Sequence, residues 1–277
     1  MTTKQAQPSN TPFRRRYGSW AVVTGASSGI GEAFAKSLAA RGMNLVLVAR
    51  RDDLLRSLAE TLRASSKVEI RCLPLDLSNH DAHESLTKAT DSLDVGLLIA
   101  AAGFGSSGPF INADLSTERN MVDVNCRAVM SQALHFGRRF AQQKRGGMVL
   151  MSSLVAFQGV PYAAHYAATK AYVQSLAEGL HHELAAHGVD VLACAPGPIH
   201  SGFAGRANLK LGFAQTPADV ADATLNSFGK RTTCRPGWLA KALELSLKTL
   251  PRFGRVRMMS VVMKGMANRS DSTATVN

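Results

Sequence analysis

Short runs rich in Val, Leu and Ile alternate with longer stretches of helical periodicity along most of this chain, and few folds accommodate that rhythm. Residues 20–24, 44–49, 68–73, 95–100, 147–152 and 189–195 read as buried strands, because continuous apolar runs suit a sheet covered on both faces. Helical patterns occupy 32–41, 52–64, a segment starting near Ser78, and two long stretches, 116–143 and 163–187. Thr216 followed by Pro217 supplies an N-cap and a first helical residue for one more helix, and 197–215 before it reads as loop. Strands separated by helices pair in parallel through right-handed crossovers. The expected fold class is therefore α/β: one open, doubly wound parallel sheet with its ligand crevice at the carboxyl edge. No internal repeat and no Pro/Gly/Ser-rich linker interrupts the 277 residues, and 45% apolar content can fill one core, so a single domain is expected.

The first strand runs into Thr24-Gly25-Ala26-Ser27-Ser28-Gly29-Ile30-Gly31 and then a helix. Small residues there let backbone approach a pyrophosphate, while the free N–H groups and dipole of the helix N-terminus favour its charge. The TGxxxGxG spacing alone is weak, since turns need glycine whatever they bind. Gly25-Ala26-Ser27-Ser28-Gly29 also satisfies G-x-S-x-G, the nucleophile elbow of α/β-hydrolases. That elbow borrows an oxyanion donor from an earlier strand–helix loop, whereas only one strand precedes Ser27, so the hydrolase reading fails. Nineteen residues after Gly31, where an acidic side chain would hold a ribose 2′-hydroxyl, stand Arg50 and Arg51. Guanidinium groups suit a 2′-phosphate, so the expected cofactor is NADP(H) rather than NAD. Asp76, at the end of the third strand, is placed to accept from the adenine amine, the alternative being that Asp before Leu77-Ser78 helps to start a helix.

Tyr166 and Lys170 are four apart on one helix and share a face. A phenol of ordinary pKa, about 10, is a poor acid–base group at neutral pH, and a neighbouring ammonium stabilises its phenolate. Lowering it by about two to three pH units would be worth about 3 to 4 kcal/mol. Y-x-x-x-K is common by chance, but Ser153 lies thirteen residues earlier at the end of the fifth strand, on the ligand edge. Ser153 would polarise a substrate oxygen, Tyr166 would move its proton, and Lys170 would tune Tyr166 and hold the nicotinamide ribose. Ser152 alternates to the opposite side of the strand.

In this order, TGASSGIG, Arg50, Asp76, Asn125, Ser153, Tyr166-Ala167-Ala168-Thr169-Lys170 and Pro196-Gly197 make the chain resemble the short-chain dehydrogenase/reductase family over residues 20–228. The resemblance implies a Rossmann-type fold and a Ser-Tyr-Lys-Asn tetrad in which Asn125 acts through a water relay to Lys170. It implies that Gly25, Ser27, Ser28, Gly29, Ile30, Gly31, Arg50, Asp76, Leu77, Ala101 and Gly103 hold the cofactor together with Tyr166 and Lys170. It further implies that Pro196, Gly197, Ile199 and Ser201 line the nicotinamide, and that the chain is a homo-oligomer, dimer or tetramer, built on the long helices. One departure is plain: where the family has Asn-Asn-Ala-Gly, this chain has Ala100-Ala101-Ala102-Gly103, and two bracing amides are lost.

The remaining features bound the reading. The formal charge of +12 is concentrated at the ends, in Arg14, Arg15 and Arg16 and in a tail where Glu244 and Asp271 face many Lys and Arg. No nucleic-acid module accompanies it, so no nucleic-acid partner is expected. Residues 1–18 read as a disordered basic arm, 19–229 as the Rossmann domain and 230–277 as a basic amphipathic extension. That extension suits an anionic membrane surface or the mouth of the substrate site, and no stretch is long and apolar enough to span a bilayer. Four scattered cysteines and no signal-peptide core point to a cytoplasmic protein with buried, reduced thiols. His182-Glu183 with His187 gives H-E-x-x-x-H, one residue too long for a zinc helix, and no metal is expected. Phe203, Leu209, Leu211 and Phe213 are expected to wall a lipophilic ketone or alcohol substrate. The competing reading is a cofactor-binding regulator without turnover.

Overall fold

The computed structural model describes residues 11–199, 215–237 and 251–271. A seven-stranded parallel sheet runs in the order β3-β2-β1-β4-β5-β6-β7. Its strands are β1 (Trp20–Thr24), β2 (Asn44–Ala49), β3 (Ile70–Pro74), β4 (Val95–Ala100), β5 (Gly146–Met151), β6 (Val189–Cys194) and β7 (Thr233–Cys234). The order reverses between β1 and β4, where a doubly wound sheet opens its crevice. Every residue of β1, β2, β4 and β5 is buried, as their unbroken apolar runs require.

Helices cover both faces. They are α1 (Pro12–Tyr17), α2 (Gly29–Ala40), α3 (Asp52–Ser65), α4 (Ala82–Thr90), α5 (Leu115–Val122), α6 (Ala128–Gln143), α7 (Ala164–Ala185), α8 (Pro217–Ser227) and α9 (Arg252–Asp271). On one face Phe34, Leu38 and Leu55 meet Val23, Leu45 and Leu47. On the other Phe136, Phe140 and Val173 meet Val22, Leu98 and Leu150.

Four sequence-based expectations change. Residues 12–17 are not part of a frayed arm: they form α1, capped by Thr11 and closed by Tyr17, which is 3% exposed. Arg16 donates two 2.8 Å bonds to Asp190 and the Tyr17 hydroxyl a third, so a distant carboxylate anchors the end of this helix. The helix expected near Ser78 starts at Ala82, because the Asp76 carboxylate takes the Ser78 amide and hydroxyl and makes a turn first. The helix expected over 116–143 is broken by a π-turn at Asp123–Arg127, whose extra residue turns the Asn125 side chain inward. The tail expected from residue 230 begins inside the sheet, since β7 pairs with β6. Farther on, Met259 and Met263 of α9 pack on Val160, Ala163 and Ala167 beside the start of α7.

Candidate active site

A cleft of about 740 Å³ opens at the carboxyl edge of the sheet. Gly25, Ser27, Ser28, Gly29, Ile30 and Gly31 form one end. The loop closes so tightly that a side chain on Gly31 would run into the Gly25 carbonyl. Ser28 stands at the N-cap of α2 yet makes no capping bond, which leaves the first amides of the helix open to an anion. Arg50 and Arg51 border the same end. Arg51 donates to the Ser27 and Ser28 hydroxyls at 3.0 and 3.2 Å, so it lies across the glycine loop, while Arg50 is largely exposed and 3.8 Å from Asp76. Burial opposes ionisation of Asp76, but the Ser78 bonds and Arg50 outweigh it and hold the carboxyl below its usual range. These groups fit a pyrophosphate on the helix and a second phosphate beside the arginines.

The cleft continues past Leu77, Ala101 and Gly103 to Ser153, Tyr166 and Lys170, and is closed below by Pro196, Gly197 and Ile199. Ser201 and the walls expected from Phe203 to Phe213 lie outside the described residues. Ser153 follows β5 and caps the short turn Leu154–Phe157. Ser152 points away and donates to the Lys170 carbonyl at 3.3 Å. One turn of helix carries Tyr166 and Lys170 to the same place, and the Tyr166 hydroxyl is hydrogen-bonded to Ser153. Lys170 Nζ donates to the Met151 carbonyl at 2.9 Å and lies 5.8 Å from the Tyr166 ring centre.

Asn125 is fully buried and its side-chain amide clamps Phe104, accepting from its N–H at 3.1 Å and donating to its carbonyl at 2.8 Å. It does not itself line the cleft; a Cβ added to Gly103 would sit 3.0 Å from Asn125 Oδ1 and 3.3 Å from Lys170 Nζ, so the two groups face each other across that glycine.

Burial pushes the Tyr166 phenol up to about 12, with the Ser153 bond pulling the other way. Burial also pulls Lys170 down to about 8, against the thiols of Cys126 and Cys194. The expected lowering of Tyr166 by Lys170 is therefore absent in the free protein. The ammonium is engaged by the Met151 carbonyl and lies 5.8 Å from the Tyr166 ring centre. The missing amides at Ala100 and Ala101 have a partial substitute: buried Thr24 Oγ1 donates to the Ile99 carbonyl at 3.4 Å and accepts from Ala102 N at 3.2 Å, tying β1 to the end of β4.

Among the residues that sequence reasoning did not assign to the site are Met258, Met259 and Met263 of α9, which line the cleft with Leu154, Val155 and Phe104. Nothing in the local pattern of the tail said where this helix docks. The thiols are less uniform than expected, with Cys194 and Cys234 buried but Cys72 and Cys126 half-buried. No helix among the described residues is long and apolar enough to cross a membrane.

The profile of the short chain dehydrogenase family matches residues 19–211. A 7beta-hydroxysteroid dehydrogenase of Clostridium sardiniense is 38% identical over 185 residues, which cover 67% of this chain and 71% of that one. A solved 7beta-hydroxysteroid dehydrogenase structure superposes with a TM-score of 0.83 at 29% identity, over 89% of this chain and 98% of the other. A short-chain dehydrogenase from Sphingobium yanoikuyae in complex with NADPH gives a TM-score of 0.75 at 31% identity, over 82% and 92% of the two chains.

Proposed function

The chain belongs to the short-chain dehydrogenase family of NAD(P)(H)-dependent oxidoreductases, and on that premise we propose that it is an NADP(H)-dependent carbonyl reductase or alcohol dehydrogenase for bulky apolar substrates. The observation that carries the reading is one cleft with an anion-ready helix and two arginines at one end and the bonded Ser153–Tyr166 pair with Lys170 at the other. Gly25 to Gly31 would hold the pyrophosphate, Arg50 and Arg51 the 2′-phosphate, and Lys170 the nicotinamide ribose. When bound, the cofactor supplies or accepts the hydride.

In the reductive direction Ser153 Oγ orients the carbonyl oxygen and Tyr166 Oη, which keeps its proton at neutral pH, donates to it. Asn125 fixes the backbone at Phe104 and stands across Gly103 from Lys170. In oxidation the same groups run in reverse, with Tyr166 accepting the alcohol proton. The methionines of α9 and the neighbouring Leu154 and Val155 favour a lipophilic substrate, because flexible thioethers shape themselves to varied apolar surfaces. A relative named for hydroxysteroid oxidation agrees with a rigid, bulky one.

The rest of the proposal concerns assembly and location. The half-exposed apolar residues Met130, Leu134 and Tyr172 lie on the long helices α6 and α7, the face through which a homo-oligomer would form. Exposed Phe253 and Val261 beside Arg252 and Arg257 suit peripheral contact of a cytoplasmic protein with an anionic membrane.

A screen of small and bulky ketones with NADPH and with NADH tests the function. The expected result is NADPH-dependent reduction of a bulky ketone. In Arg50→Ala/Arg51→Ala, kcat/KM with NADPH relative to NADH should fall roughly ten- to hundredfold, as the loss of one or two charge-assisted bonds predicts. Tight NADPH binding with no turnover on any ketone would favour a cofactor-binding regulator instead.

A further inference from the structure

Beside the proton-transfer groups lies a second cluster that they do not use. Glu118 of α5 is 7% exposed, an expensive place for a carboxylate unless its oxygens are partnered. Both are. Oε1 accepts from the Ser106 hydroxyl at 2.7 Å, and Oε2 is paired with Nδ1 of His165, the residue just before Tyr166. The same stretch of chain is caught twice more: Gly108 N donates to the Tyr162 carbonyl at 2.7 Å, and the Phe110 ring meets His165 edge-on at 6.2 Å. At its root Phe104, which lines the cleft, is clamped by Asn125. Segment 104–110, whose Phe104 lines the cleft, is thus a wall pinned at its root by Asn125 and at its middle and tip to the chain around the start of the helix that carries Tyr166.

We infer that Glu118 is a positioning residue that, through Ser106 and His165, holds this wall in place and so sets the enzyme's selectivity for bulky over small carbonyl substrates. The inference rests on the reductase reading above. A pre-organised wall gains contact only with a substrate large enough to reach it, and its ordering is complete before binding. A small ketone held at Ser153 and Tyr166 does not feel it.

The test compares Glu118→Gln and Ser106→Ala with the wild type, measuring kcat and KM with NADPH for cyclohexanone and for a rigid polycyclic ketone. KM for the polycyclic ketone should rise roughly tenfold while cyclohexanone kinetics stay within about twofold, the size expected from losing one hydrogen bond to a charged group. NADPH affinity, read by fluorescence of the bound cofactor, should match the wild type and certifies folding. If Glu118→Gln fails that check, Ser106→Ala, which removes one hydroxyl, decides. Equal changes for both ketones, or none, in a variant that binds NADPH would overturn the inference. A wild type that reduces neither ketone would instead overturn the reductase reading beneath it.

Discussion

Tyr166 and Lys170 share one helix face, and burial acts on them in opposite senses, taking the phenol to about 12 and the ammonium to about 8. At neutral pH the phenol holds its proton and is set to give it to a carbonyl oxygen, whereas alcohol oxidation needs it deprotonated. The kcat/KM for reduction should therefore stay level through neutral pH and fall as pH rises past about 8, where Lys170 discharges in the free enzyme. The kcat/KM for oxidation should climb toward alkaline pH; profiles of the two directions that run together would contradict this assignment. Stability follows the same sign. Folded Lys170 titrates below its usual 10.5, so the cost of burying its charge is complete below about pH 8 and is relieved as pH rises from there toward 10.5. Lys170→Met should thus stabilise the cofactor-free protein at pH 7 by on the order of 1–3 kcal/mol, read as a higher thermal midpoint, and the gain should shrink above pH 8. An unchanged or lower midpoint at pH 7 would count against that burial cost.

Among elements, α1 and α8 show which local signals act alone and which need a distant partner. Thr216 caps α8, accepting from the Asp219 amide at 3.2 Å, with Pro217 in the first turn, a start that the sequence displayed in full. Thr216→Ala should cost about 1 kcal/mol in chemical denaturation. The anchor of α1 is Asp190, 174 residues beyond Arg16, and no local pattern announces it. Asp190→Ala strips the Tyr17 hydroxyl and Arg16 of their acceptor and should destabilise the domain by about 2 kcal/mol, most of which deletion of residues 1–17 should reproduce. If that deletion leaves stability unchanged, α1 is an ornament of the fold. The buried strands were legible because both their faces are covered, so their composition carried the signal. The π-turn at Asp123–Arg127 was not, because an extra residue in a helix leaves the apolar periodicity nearly intact. Two-residue β7 is too short for any pattern to mark.

At the scale of the whole molecule, the site is assembled from the carboxyl ends of β1 to β6 with α2, α7 and α9, and its legibility in sequence follows the separation of its parts. Ser153, Tyr166 and Lys170 are close in sequence and sit at a strand end and on one helix face, so spacing alone brought them together. The methionines of α9 arrive from about ninety residues farther on, and Glu118 is recognised only by what packs around it. The exposed apolar face of α6 and α7 predicts that light scattering finds at least a dimer, and that Leu134→Glu shifts it toward monomer. The account stands most directly on Tyr166→Phe, assayed by the absorbance of the reduced nicotinamide with NADPH and the best ketone. The variant should bind NADPH as the wild type does while turnover falls roughly 10²- to 10⁴-fold; a variant that turns over at the wild-type rate would contradict the proposed proton transfer.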